Sequence, residues 1–152
     1  MILTDYLTRD LVLGDIAPAS KAAAIAELTA ALAASGLVTD QETFVRAVRE
    51  REAEGTTGIG DGIAIPHGKT DAIARPAVAF ARVPDGVGWD SLDGAPARLL
   101  FLIGVPESAA GDEHLRILAL LSRRLIDAEY RNALLTAPTP DDLHRLFAQI
   151  TT

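Results

Sequence analysis

Histidines at positions 67, 114 and 144 are the only imidazoles in the chain, and no cysteine is present. Thiol nucleophiles, disulfide scaffolds and Cys-ligated zinc or iron–sulfur sites are thereby excluded together. His67 lies in GTTGIGDGIAIPHGKT, residues 55–70, which sets five glycines and a proline around the apolar segment Ile63-Ala64-Ile65. That pattern predicts a short strand running into a tight loop. Pro66 before the histidine fixes the backbone, so the ring can project from a strand end, where sites in layered α/β folds are built. An imidazole with a reference pKa of about 6.5 is largely neutral near pH 7 and can attack phosphorus without first losing a proton. A turn histidine without chemistry is the competing reading.

Gly60, Gly62 and Gly68 leave backbone amides unshielded near His67, and such amides can receive phosphoryl oxygens. Turn geometry alone would also explain them. His114 falls in the first turn of a helix that Asp112 can cap, on one face with Leu118, Leu121 and Leu125. An imidazole pointing inward there can donate to an anion that the helix end favours by about 0.3–1 kcal/mol. Its alternative is a core histidine satisfied by a carbonyl. Arg51, shortly before the glycine loop, can give a charge-assisted fork to a phosphoryl group, or be a solvated helix-end cation as Arg46 and Arg49 read. His144, on the polar flank of the last helix, reads as surface.

Two tempting motifs fail. Gly68-Lys69-Thr70 resembles the end of a P-loop, but Ile63 stands where the first glycine belongs and Pro66 removes a needed amide. Glu113-His114 has no second histidine four residues on, and three scattered histidines make a poor ligand set. Neither a metal nor another cofactor is expected.

The elements that must carry these residues follow from the apolar spacing. An alanine-rich helix starts after Ser20 and ends at Gly36, where a left-handed residue is needed. Thr39-Asp40-Gln41-Glu42 reads as a capping box, with Thr39 as the cap, opening a helix whose buried stripe is Phe44, Val45 and Val48. Ala77–Val83 alternates like a strand, and the unbroken apolar run Leu99–Val105 predicts a strand covered on both faces. The Asp112 helix is expected to bury Leu115, Leu118, Leu121 and Leu125. A shorter helical stretch spans Tyr130–Leu135, and Thr139 with Pro140 starts the last helix. Interleaved helices and strands predict an α/β layered architecture, and 152 residues without a compositional break predict one domain over 1–152. The net charge of −7 argues against nucleic acid as a partner. MILTDYLTRD lacks the features of a signal peptide and no apolar run reaches membrane-spanning length, so a cytoplasmic protein without direct membrane insertion is expected.

Glu52, six residues, Ile59-Gly60, two residues, then Ile63-Ala64-Ile65-Pro66-His67-Gly68 resembles the phosphorylation-site signature of the fructose/mannitol class of enzyme IIA of the bacterial phosphotransferase system. The likeness continues through GKTDAIARPAVAFARV and LDGAPARLLFLIGVPE to DEHLRILALLSRRL. It implies a single domain with a mixed β-sheet flanked by helices on both faces. It further implies that His67 accepts a phosphoryl group from HPr or an HPr-like donor and passes it to a cysteine of an enzyme IIB, with His114 and Arg51 assisting. A nitrogen-type regulatory IIA, acting through phosphorylation-dependent protein binding, is the rival within the family. An interaction module without phosphoryl chemistry is the rival outside it.

Overall fold

From Ala77 to Arg82 small and large side chains alternate, and the two sets go to opposite faces of a sheet. Ala77, Ala79 and Ala81 pack with Ile25, Leu28 and Phe44, whereas Val78 and Phe80 pack with Phe101, Leu121 and Phe147. The alternation reflects the pleat, which sends successive side chains to opposite sides. The computed structural model of the chain describes residues 1–109 and 112–152.

In chain order the elements are β1 (Val12–Asp15), α1 (Lys21–Ala34), α2 (Gln41–Glu54), β2 (Gly58–Gly60), β3 (Ile63–Ala64), β4 (His67–Lys69), β5 (Ala77–Val87), β6 (Ala97–Val105), α3 (Glu113–Leu125), α4 (Ala128–Thr136) and α5 (Pro140–Phe147). Two short 3-10 turns, Leu3–Asp5 and Arg9–Leu11, precede β1. The sheet order is β1-β5-β6-β3-β2, with β4 continuing beside β6 beyond β3. Pairing is parallel between β1 and β5 and between β6 and both β3 and β4, and antiparallel elsewhere. The mixed sheet with α1 and α2 on one face and α3, α4 and α5 on the other agrees with the expected fold class.

β6 is buried on both faces, as its sequence predicts: Leu99, Phe101, Ile103 and Val105 face one helix layer, Leu100 and Leu102 the other. Phe80, Phe101 and Phe147 form a cluster with ring centroids 4.9–5.8 Å apart. Burying each such ring stabilises the fold by about 1.5–3 kcal/mol.

Gly68 of β4 and Gly104 of β6 are register partners. A Cβ on Gly68 would lie 2.9 Å from Val48 Cγ2, and one on Gly104 would lie 2.8 Å from Phe44 Cε1. The two glycines thus form a depression in which Phe44 and Val48, one helical turn apart on α2, are seated. This seat fixes how α2 lies against β4.

Several local expectations shift. Asp40, not Thr39, caps α2: its carboxylate accepts from Thr43 N–H at 3.1 Å, while the Thr39 hydroxyl donates to the Ala72 carbonyl. Glu42 pairs weakly with Arg46 at 3.8 Å instead of closing a capping box. Asp112 precedes α3 without a side-chain cap, and its carboxylate faces Arg116 at 3.4 Å. The buried stripe of α3 is Ile117, Leu120, Leu121 and Leu125, and Leu115 is 55% exposed. The buried face is centred on Ile117 and Leu121, so Leu115 turns outward and Leu118 lies at its edge, while Glu113 in the first turn accepts from the Tyr6 hydroxyl at 2.8 Å. Val45 is only partly buried. β5 runs on to Val87. His144 is half-buried, with its Nε2 shut away from solvent. Thr139, by contrast, caps α5 as read, accepting from Asp142 N–H.

Arg82 projects from β5 among apolar groups with its side chain 10% exposed. Its guanidinium donates to the carbonyls of Leu134, Leu135 and Ala137 and to Asp15. It satisfies carbonyls left free at the end of α4 and ties that helix to β5 and β1. Among the described residues, no helix is long and apolar enough to cross a membrane.

Candidate functional site

Ile65 N–H donates to the Thr57 carbonyl at 3.0 Å, and the Pro66 carbonyl accepts from Ile103 N–H at 2.9 Å. The segment leading to His67 is therefore pinned on two sides before β4 begins. His67 opens β4 at the register of Ile103, next to the central strand, and its ring is half-buried. Ring atom Nδ1 lies 3.1 Å from the Ile65 carbonyl oxygen. A carbonyl only accepts, so Nδ1 carries the proton and the lone pair is on Nε2. A neutral imidazole held in that tautomer is a nucleophile with one defined attacking atom.

Burial pushes the His67 imidazole below its ordinary value, and the Arg51 guanidinium and the neighbouring His114 push the same way. The Ile65 hydrogen bond and the Glu52 carboxylate oppose them without prevailing. The net effect keeps the ring neutral near pH 7.

His114 stands in the first turn of α3, half-buried, and its ring stacks on that of His67 with centroids 5.8 Å apart and planes 24° from parallel. Arg51 lies in the last turn of α2 and donates to the Gly55 carbonyl at 2.9 Å. The seating of α2 over Gly68 brings this cation near enough for His67 to feel its charge. The structure thus sets the His67 and His114 rings, from β4 and α3, against each other and keeps the Arg51 guanidinium of α2 within electrostatic range of His67. An imidazole nucleophile beside a second imidazole and a guanidinium can accept a phosphoryl group and offset its charge.

The glycines have visible geometric duties. Gly60 and Gly62 flank Asp61 in the β2–β3 turn, and all three have positive φ, of 92°, 76° and 56° respectively. Asp61 N–H donates to the Asp93 carboxylate at 3.0 Å, which packs beside Gly60. Gly68 admits α2, as described above. Arg46 and Glu42 pair on the solvent side of α2. His144 is on α5, separate from the His67–His114 pair.

Sequence reasoning treated Glu52 only as a position in the motif. Its side chain is 6% exposed and accepts from Thr57 N–H, Trp89 Nε1–H and Lys21 Nζ at 3.3, 3.3 and 3.2 Å, and from the Thr57 hydroxyl. The participants come from three chain segments, around Lys21, Glu52–Thr57 and Trp89, so local spacing could not have revealed the whole cluster.

The family described as the phosphoenolpyruvate-dependent sugar phosphotransferase system, EIIA 2, matches residues 5–150. The chain is 44% identical to a fructose-specific EIIA component from Haloferax volcanii, over 88% of this chain and 86% of that one. It is 40% identical to a fructose-specific EIIABC component from Bacillus subtilis, covering 93% of this chain but 22% of that longer protein. Nitrogen regulatory protein IIA-Ntr from Neisseria meningitidis superposes with a TM-score of 0.85 at 29% identity, covering 94% of this chain and 97% of that one. The mannitol enzyme IIA, solved in complex with phosphorylated mannitol enzyme IIB from Escherichia coli, gives 0.78 at 27% identity, covering 91% and 94%. The chain therefore belongs to the EIIA 2 family of the sugar phosphotransferase system.

Proposed function

We propose that the chain is a phosphoryl carrier in fructose-type sugar uptake in the cytoplasm, with His67 Nε2 as the atom that holds the phosphoryl group. The observation that carries this reading is the neutral His67 ring, locked with Nδ1–H on the Ile65 carbonyl and stacked on His114. Phosphohistidine HPr, or an HPr-like domain, is the donor. Its N–P bond breaks as the Nε2–P bond forms, and the electron pair returns to the donor imidazole. In the second step Nε2–P breaks and a cysteine thiolate of an enzyme IIB takes the group. Arg51 and His114 offset the charge on the transferring oxygens in both steps, in a setting where positioning and electrostatics supply most of the catalysis.

The likeness to a fructose-specific component over most of both chains supports the sugar branch. Exposed Ile59 and Leu115, the latter next to His114, give apolar surface for a protein partner. The likeness to the Neisseria regulatory protein supports a second reading, in which phosphorylation of the same histidine governs binding to other proteins.

Intact mass after incubation with phosphoenolpyruvate, enzyme I and HPr is expected to show one added phosphoryl group, acid-labile and missing in His67→Ala. Arg51→Ala and His114→Ala are expected to slow acceptance about a hundredfold while staying folded. Unchanged rates in both remove them from the site. Transfer onward to an isolated fructose-type IIB cysteine separates the transport reading from the regulatory one.

A further inference from the structure

A buried carboxylate costs desolvation energy and persists where donors surround it. Glu52 has four such hydrogen bonds, two of them from Thr57. Thr57 is 5% exposed and Trp89 is fully buried, so the clamp is closed to solvent on those sides. The contacts continue inward. The Thr57 carbonyl accepts from Ile65 N–H at 3.0 Å, and the Ile65 carbonyl accepts from His67 Nδ1–H at 3.1 Å. An unbroken hydrogen-bonded path therefore runs from Glu52 through Thr57 and Ile65 to the ring.

The clamp on Thr57 also bounds the loop that Arg51 contacts. The Gly55 carbonyl that receives the guanidinium lies in the short loop between Glu52 and Thr57, and Gly55 N–H donates to the Glu52 carbonyl. The Glu52 main-chain carbonyl holds the near side of that loop, and its carboxylate holds the far end at Thr57.

We propose that Glu52 is a positioning residue: by clamping Thr57 it orients the Ile65 carbonyl that selects the Nδ1–H tautomer of His67, and it fixes the loop on which the Arg51 guanidinium rests. A side chain that merely filled space here would stabilise the fold without choosing a tautomer. The rate arm of the test rests on the carrier reading; the tautomer arm does not.

In 15N-labelled protein, long-range imidazole 15N–1H correlations report which nitrogen of His67 carries the proton, with His67→Ala supplying the assignment. In folded Glu52→Gln the ratio of Nδ1–H to Nε2–H is expected to fall about tenfold, the equivalent of one hydrogen bond's net worth. Phosphoryl acceptance is expected to slow roughly ten- to a hundredfold through misplacement. Thr57→Val, which spares the carboxylate and its remaining donors, is expected to shift the ratio in the same direction by less, and it decides the question if Glu52→Gln does not fold. An unchanged tautomer ratio in a folded variant overturns the proposal, whatever the rate. A shifted ratio in a protein whose parent form takes no phosphoryl group supports the positioning role and overturns the carrier reading instead.

Discussion

Replacing Gly68 with alanine puts a methyl group where α2 already sits. The new Cβ would stand 2.9 Å from Val48 Cγ2, against about 3.5–4.0 Å for an ordinary carbon contact, so roughly 0.6–1.1 Å must be found. Val48 cannot yield it alone: it is fully buried and, being β-branched in a helix, has one strongly preferred rotamer. The strain goes into α2 as a body, at an overpacking cost of about 1–3 kcal/mol. Arg51 is one turn beyond Val48, so the displacement reaches the guanidinium, and a shift near 1 Å can slow transfer about a hundredfold. Val48→Ala alone loses two methyl groups from the core, about 1.6 kcal/mol. The double variant is expected to be less destabilised than the sum of the singles by about 1–2 kcal/mol, because the smaller side chain makes room for the methyl. Urea midpoints with constant m-values measure the stabilities, and the time course of intact mass measures phosphoryl acceptance. Alanine keeps the backbone N–H, so a Gly68 that served only as an amide donor would tolerate the change. A Gly68→Ala protein within about 0.5 kcal/mol of the parent, or strict additivity in the double variant, refutes the packing argument.

Arg82→Met removes the donor to three carbonyls around the end of α4 and is expected to cost about 2–3 kcal/mol in urea unfolding. Arg82→Lys is expected to recover little, since one ammonium cannot reproduce the planar fork. Asp40→Ala is expected to cost about 1 kcal/mol, whereas mutating Thr39 leaves the cap on α2 intact; equal losses at the two positions would contradict the assignment of the cap. The lowered His67 pKa gives a pH dependence of definite sign. On acidification the unfolded chain takes up its proton before the native one, so this contribution to stability is complete above about pH 6.5 and is lost as pH falls from there through the depressed native value. The difference in unfolding free energy between the parent and His67→Ala is expected to shrink across that window, and a constant difference would contradict it.

The helices around Ile25 and Leu28 and around Leu143 and Phe147, and the doubly covered strand Leu99–Val105, were readable from spacing because period and burial are local consequences of the pleat and the helical turn. The candidacy of His67 was readable as well, since Pro66 and Gly68 announce a constrained strand end on their own. Other features required the folded chain. Which residue caps α2 depended on Ala72, distant in sequence, claiming the Thr39 hydroxyl. Which face α3 buries was decided by its packing on the sheet and on α4, where Ile117 and Leu120 enter the core and Leu115 does not. The pairing of Gly68 with Gly104, the stacking of His114 on His67 and the arrival of Lys21 and Trp89 at Glu52 are all products of non-local packing. A sequence can declare that an imidazole is held beside a constrained strand; which charged and aromatic groups surround it, and how firmly the nearby Ile65 carbonyl is aimed at Nδ1, is decided only when distant segments pack around it.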